Sequence, residues 1–323
     1  DGTWSFDHQQ GACQGRCDDA GTLHDAYAGG TALALLPFLG AGQTHTAGDY
    51  QGVVARGLAA LVRQMDIKPG KGGSFVDSGA MYSHGLASIA LCEAYAMTDD
   101  PSLQRPAQLA IDFIVYAQDP RGGGWRYAPR QPGDTSVVGW QVMALKSGHM
   151  GFLRVPASTV RRASSFLDYI QVDGGSGYGY IHDEETGELK YRPSTSAIGL
   201  LCRMYLGASR DNPTRVEGIR RISESGPSET DFYYNYYAAQ LLFQFTGGEG
   251  PVWDAWNNKL RDQLVNTQDT DDHAKGSWVT EAGHGMEKGG RLYCTAMGCM
   301  TLEVYYRHMP IYRTDSIEVE FPE

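Results

Sequence analysis

Apolar residues recur along this chain at helical spacing in two alternating kinds of segment. One kind is apolar around most of its circumference: Ala26–Gly42, Met81–Met97, Thr135–Gly148, Thr195–Gly207, Tyr233–Thr246 and Tyr293–Tyr306. Such segments read as helices surrounded by protein. The other kind keeps a polar face: Asp49–Gln64, Leu103–Gln118, Ser158–Gln171, Pro213–Glu224 and Val252–Gln268. In Ser158–Gln171, Val160, Ala163, Phe166, Leu167 and Ile170 form one stripe, which Arg161, Arg162 and Asp168 leave. Pro156, Pro213 and Pro251 stand near the predicted starts, where a missing N–H costs least.

Glycine turns ending in an aromatic separate the pairs: Gly2-Thr3-Trp4, Gly73-Ser74-Phe75, Gly124-Trp125, Gly177-Tyr178 and Gly276-Ser277-Trp278. Ser225-Gly226-Pro227, leading to Phe232, is a degenerate copy, and Gln64, Gln118, Gln171 and Gln268 precede four of the turns. The signal returns about every 50 residues, the mark of stacked or ring-arranged units. A propeller of that period needs four short alternating strands per unit, and the pattern lacks them. The prediction is an all-α chain: one α/α toroid over residues 1–323, with about six inner and about five outer helices and the first outer helix missing. An open central cavity is expected where the inner-helix N-termini gather, and the acidic, strand-like tail Arg313–Glu323 is expected to close the seam.

Composition narrows the function classes. Lys and Arg number 27 against 38 Asp and Glu, a formal charge of −11, which opposes a phosphate-backbone partner. The 41 % hydrophobic content is enough for a real core, so disorder is excluded. The longest apolar stretch, Ala26–Gly42, carries Gly29, Gly30, Thr31 and Pro37 and falls short of the roughly 18 to 20 residues a bilayer requires. No transmembrane segment and no nucleic-acid partner are therefore expected. The chain opens on Asp1 rather than Met, which leaves its compartment and its place in a longer polypeptide open.

Cys92, Cys202, Cys294 and Cys299 lie in apolar helical segments and read as buried thiols. Cys13 and Cys17 sit in the loop Gly11–Asp19, where three readings compete: a small-loop disulfide, ranked first, free thiols, or half of a metal site with His8 and His24.

Gln118-Asp119-Pro120-Arg121-Gly122-Gly123-Gly124-Trp125 and the run from Gln268 to Gly276-Ser277-Trp278 resemble the Gln-Trp repeats of squalene and terpenoid cyclases. The protein-prenyltransferase β subunits share that toroid. The resemblance implies the fold across the whole chain and a ligand cavity lined by inner-helix N-termini. It carries little chemistry with it. The cyclases protonate an alkene with the middle Asp of Asp-x-Asp-Asp-Thr. Here Asp269-Thr270-Asp271-Asp272 is followed by His273 and reads as a solvated acidic loop. The stretch that matches by context is Gln131-Pro132-Gly133-Asp134-Thr135, with Gly133 in place of the proton-donating acid. The prenyltransferase zinc motif, Asp-x-Cys, occurs at none of the cysteines, and Cys13 followed by Gln14-Gly15-Arg16 is no thioester motif. No His-Glu-x-x-His, P-loop or Gly-x-Ser-x-Gly element is present.

Function must then be argued from the heads of the inner helices, where partial positive charge converges. Asp134, Ser136, Ser194 and Thr195 have a capping role open to them, and His84 that of a satisfied core histidine. Phe232–Tyr237 puts aromatics on every side of one helix, as an aromatic girdle or a ligand wall. The candidate catalytic residues are Asp134, His84 and Tyr237. The candidate ligand contacts are Tyr82, Trp140, Tyr233, Tyr234, Arg291 and Tyr293. No metal or cofactor is implied. The leading expectation is a ligand-binding or scaffold module holding a small molecule or a polymer in its central cavity. It resembles repeat domains inside longer, often exported bacterial proteins, which favours an extracytoplasmic setting. The alternative is an enzyme acting in that cavity on an isoprenoid or, as a lyase or hydrolase, on a saccharide.

Overall fold

The computed structural model describes residues 1–10, 13–17, 19–182, 186–187, 189–304, 306, 308, 311 and 321. Inner helices α1 (Tyr27–Gly40), α3 (Ala80–Thr98), α5 (Thr135–Met150), α7 (Pro193–Tyr205), α9 (Phe232–Thr246) and α11 (Met286–Leu302) are buried nearly all round. Each packs on the next, and α11 packs on α1, so the inner ring is closed. Outer helices α2 (Gln51–Gln64), α4 (Pro101–Ala117), α6 (Ala157–Ile170), α8 (Pro213–Ser225) and α10 (Pro251–Thr267) present one apolar face to that ring. The fold is an α/α toroid, with six inner and five outer helices among the described residues.

The repeat turns brace these pairs. The indole N–H of Trp125 donates to Ile114 O at 2.8 Å, and that of Trp278 donates to Leu264 O at 2.8 Å. Both carbonyls lie in the last turn of an outer helix, which has no backbone N–H of its own for them. Gln118 Nε2 donates to Gly123 O and Thr159 O, and Gln268 Nε2 to Gly276 O. Gly123 sits at φ 77°, and a Cβ there would meet Arg162 O at 2.2 Å, so glycine is required by both conformation and space.

Three features depart from expectation. Some turns pair as short strands: β1 (Asp66–Lys68) with β2 (Gly72–Ser74), and β3 (Gln171–Val172) with β4 (Gly177–His182) and β5 (Leu189–Tyr191). The last inner helix begins at Met286 rather than Tyr293, and it breaks at Gly290, φ 57° and ψ −153°. There Arg291 N donates to Asp19 O at 2.8 Å, and Ala20 bridges Gly290, which stitches the first loop onto α11. A glycine pair in a polar stretch hid this start from a periodicity reading. Nor is the axis fully open. Trp140 of α5 stacks on Tyr236 of α9 at 5.7 Å and meets Tyr237 edge-on at 5.6 Å. Helices α5 and α9 flank α7 in the ring, so these contacts pass along the inner side of α7 and narrow the axis. The proposed closing tail lies outside the described residues except at Phe321, whose ring meets His149 at 5.0 Å. No helix among the described residues is long and apolar enough to cross a membrane.

Candidate functional site

Asp134 precedes α5, and its Oδ1 accepts from Val137 N at 2.9 Å as the helix cap. The side chain is 0 % exposed, and Oδ2 has no hydrogen-bond partner. Burial raises its pKa to about 6, against the opposing pull of the Val137 N–H, the Arg126 guanidinium and the Tyr180 hydroxyl. Arg126 Nε stands 3.9 Å from Oδ2 and is itself without a hydrogen bond.

A group of phenols surrounds this carboxyl. Burial holds the hydroxyl of Tyr82, in the first turn of α3, well above the ordinary tyrosine range, and the nearby Tyr233, Asp134, Tyr180 and Tyr127 push it the same way. The Tyr127 and Tyr180 hydroxyls share a hydrogen bond at 2.6 Å, and the Tyr82 and Tyr127 rings lie 6.2 Å apart. Tyr233 Oη donates to Ser136 O at 3.3 Å, its ring lies 5.0 Å from that of Tyr237, and His284 lies 4.8 Å from it on the outer side. The Tyr293 hydroxyl is buried, unpartnered and close enough to act on Tyr233 and Asp231. Exposure rises outward from Asp134, through half-buried Tyr82 and Tyr180, to Tyr127 at 43 %. The result is a mouth above the aromatic cluster, with one buried acid at its base.

The structure thus brings together Asp134, Tyr82, Trp140, Tyr233, Tyr237 and Tyr293 around the ring axis, and it leaves three expected members elsewhere. His84 lies between α3 and α4. Its Nδ1 accepts from Phe75 N at 3.2 Å and its Nε2 donates to Ala110 O at 3.2 Å, so neither nitrogen has a proton to exchange with Asp134. Complete burial lowers its pKa to about 3. Tyr234 turns outward: its hydroxyl donates to Ile222 O and its ring meets Trp256 at 6.0 Å. Arg291 is drawn to the seam, bonding Asp19 at 2.6 Å and Asp269 at 2.9 Å, so it does not enter the mouth and Asp269 is not merely solvated.

Sequence reasoning missed Tyr127, Tyr180, Arg126 and His284. Two of these carried a signal. Tyr127 and Tyr180 each stand two residues beyond the braced aromatic of their repeat, Trp125 and Tyr178. The same offset from Phe75 gives Asp77, which accepts from Ala28 N and Gly79 N at the heads of α1 and α3.

A second cluster lies at the seam. Cys13 and Cys17 are free thiols with Sγ atoms 3.1 Å apart. His8 Nε2 lies 2.9 Å from Cys17 Sγ, and His273 Nε2 lies 3.5 Å from Cys13 Sγ. His24, the expected companion, instead bonds Asp7 at 3.1 Å. The cluster lines a cleft of about 340 Å³ with Arg16, Ser277 and Arg291. Among the described residues, His8, Cys13 and Cys17 stand close enough together to hold a metal ion, and His273 stands beside Cys13.

No protein-family model matches the sequence, and no curated protein matches it. Solved structures do resemble it. A glycoside hydrolase family 76 α-1,6-mannanase from Salegentibacter sp., an inactive variant in complex with α-1,6-mannotetrose, matches at 12 % identity over 87 % of this chain and 88 % of that one, TM-score 0.58. Cellobiose 2-epimerase from Bacillus thermoamylovorans matches at 11 % identity over 85 % and 87 %, TM-score 0.61. An unsaturated glucuronyl hydrolase with dGlcA-Glc-Rha-Glc matches at 12 % identity over 88 % and 86 %, TM-score 0.62. At such identities the likeness is one of fold, and it corrects the expected kinship with terpenoid cyclases and prenyltransferases: the toroids it matches are a mannanase, an epimerase and a glucuronyl hydrolase. The physical reason is that the Gln and Trp positions behind that resemblance only brace helix ends, which any toroid of stacked helix pairs requires.

Proposed function

We propose that this chain is a saccharide-acting enzyme, with its substrate lying across the mouth formed by the inner-helix N-termini and Asp134 as the proton-transfer group. The observation that carries the proposal is the state of Asp134: buried, raised to about 6, and holding one oxygen unpartnered beneath a set of phenols. Such a carboxyl is part protonated near neutral pH, so it can donate a proton to a departing oxygen or withdraw one from a sugar carbon or hydroxyl. Tyr127 and Tyr180 offer ring faces to a pyranose, and their hydroxyls, with Arg126, offer hydrogen bonds to its substituents. The groups acting most strongly on Asp134 are Arg126, Tyr180 and backbone amides rather than another carboxylate, which favours a carboxyl–phenol pair over a two-carboxylate one. The solved toroids named above act on or bind saccharides, which supports the substrate class by fold alone.

The test is turnover and binding on a panel of neutral and uronic oligosaccharides, with products resolved by chromatography and affinity measured by calorimetry. Asp134→Asn should retain affinity within a few-fold while turnover falls by about 10²-fold or more. A wild-type protein that neither binds nor converts any member of the panel would remove the proposal. The aromatic packing that narrows the axis favours one second reading, a binding module without chemistry, which predicts binding by wild type and Asp134→Asn alike with no product from either.

A further inference from the structure

We infer that His8, Cys13, Cys17 and His273 form a four-ligand zinc site that clasps the first loop of the chain to the connection between α10 and α11. The site is separate from the mouth around Asp134 and does not depend on its function. It also departs from the expectation that the chain carries no metal.

The geometry points to a metal because imidazoles and thiols converge from distant parts of the chain. Cys13 and His273 are 260 positions apart in sequence, and their donor atoms lie 3.5 Å apart. The ligand atoms of His8, Cys13 and Cys17 all lie within 4.8 Å of one another. With zinc–sulfur bonds of about 2.3 Å and zinc–nitrogen bonds of about 2.0 to 2.1 Å, the edges of a tetrahedron are about 3.4 to 3.8 Å. The contacts of 2.9, 3.1 and 3.5 Å, three of the six edges, are at or just under that size. His273 lies more than 4.8 Å from at least one of His8 and Cys17, so the ion is admitted when the three-residue cluster opens slightly and the His273 ring swings in. A disulfide would use the two sulfurs alone and leave unexplained the imidazole set against each of them.

The donor set fits a bound cation, and the cleft beside it carries Arg16, Lys275 and Arg291, whose charge favours the thiolate form of the two cysteines. His273 Nδ1 lies 3.1 Å from the Asp272 carboxylate, which fixes the tautomer that presents Nε2 to the cluster. Two thiolates and two neutral imidazoles balance a dication, and each thiol gives up its proton to solvent as its sulfur–metal bond forms. A two-sulfur, two-nitrogen donor set suits tetrahedral zinc over magnesium or calcium, which take oxygen ligands. The adjoining cleft gives the ion a path inward. Four protein ligands fill the coordination shell, so the role is structural. The clasp lies where the inner ring closes, beside the backbone bonds that join Asp19 and Ala20 to Arg291 and Gly290.

The experiment is elemental analysis of the full chain purified under reducing conditions without chelator, followed by replacement with cobalt. The expected result is about one zinc per chain and, with cobalt, the visible and near-ultraviolet bands of a tetrahedral thiolate site. Cys17→Ser and His273→Ala should lose the metal or bind it at least about tenfold more weakly, and His24→Ala should keep it. Should Cys17→Ser fail to fold, chelator titration of the wild type replaces it, with the melting temperature expected to fall as zinc is withdrawn. Metal-free protein under these conditions, or an intact mass two hydrogens light that localises to a Cys13–Cys17 bond, would overturn the site. Unchanged stoichiometry and an unchanged cobalt spectrum in His273→Ala would overturn the clasp across the seam.

Discussion

At Asp134 one carboxyl serves two ends. Its Oδ1 holds the first turn of α5, which keeps the residue fixed, while Oδ2 stays buried and unpartnered. The second condition is costly to the fold and has a pH signature. The unfolded chain ionises this group near 4, whereas the native protein holds its proton up to about 6. Between those values the native state binds more protons than the unfolded one, so stability falls as pH rises, and above about 6 the penalty is constant. Asp134→Asn keeps a capping oxygen and has no charge to bury. Its stability relative to wild type should therefore grow from pH 4 to 6 and level off at up to about 3 kcal/mol, measured by urea denaturation across pH. A difference that does not change with pH would mean the carboxyl is not held neutral. The residue itself was legible, because an Asp before an apolar helix is a capping signal. Its companions were less so: Tyr127 and Tyr180 come from two different repeat turns and meet only after both turns have folded.

At the level of the helix pair, the glycine-aromatic turn decides how an outer helix ends. Trp125 and Trp278 satisfy equivalent carbonyls, each the fourth from the end of its helix. Trp125→Phe should fill most of the space yet lose the indole N–H, at a cost of about 1–3 kcal/mol. Trp278→Phe should cost a similar amount, and the double variant should add within about 0.5 kcal/mol because the two turns belong to different repeats. Denaturation midpoints at constant slope are the measurement. These turns were readable from spacing alone. The extra turn of helix from Met286 was not, since a polar stretch carrying Gly289 and Gly290 has no helical stripe, and its backbone is held by the first loop across the seam.

For the molecule as a whole, the ring must close between its last and first inner helices, and charge does part of that work. Arg291 is 12 % exposed and bonds two carboxylates, Asp19 at 31 % and Asp269 at 35 %. Arg291→Ala should cost about 1–3 kcal/mol, less than breaking a fully buried pair because both carboxylates remain partly solvated. It should also raise hydrogen exchange first in residues 19–23 and 286–291, the segments joined there. Exchange spread evenly over the ring would place the weak point elsewhere. Sequence alone ranked Arg291 as a ligand contact because it stands at the head of an inner helix. It could not show that acidic partners from the first loop and from the turn after α10 would reach the side chain first.

Local spacing determined the α/α toroid, its inner and outer helices and the turns between them, because each repeat encodes its own amphipathic pattern and its own brace over about 50 residues. Those same short-range features suggested the wrong kin, since the bracing of helix ends is common to toroids with different chemistry. Only the tertiary structure decided which head residues meet. Trp140 and the Tyr233–Tyr237 stretch were free to line a cavity or to pack on one another, and they pack because α5 and α9 flank α7 and bring these rings together on its inner side. His84 looked outward rather than inward for the same kind of reason: a helix apolar all round gives no sign of which side will meet a neighbour whose carbonyl can accept from the imidazole.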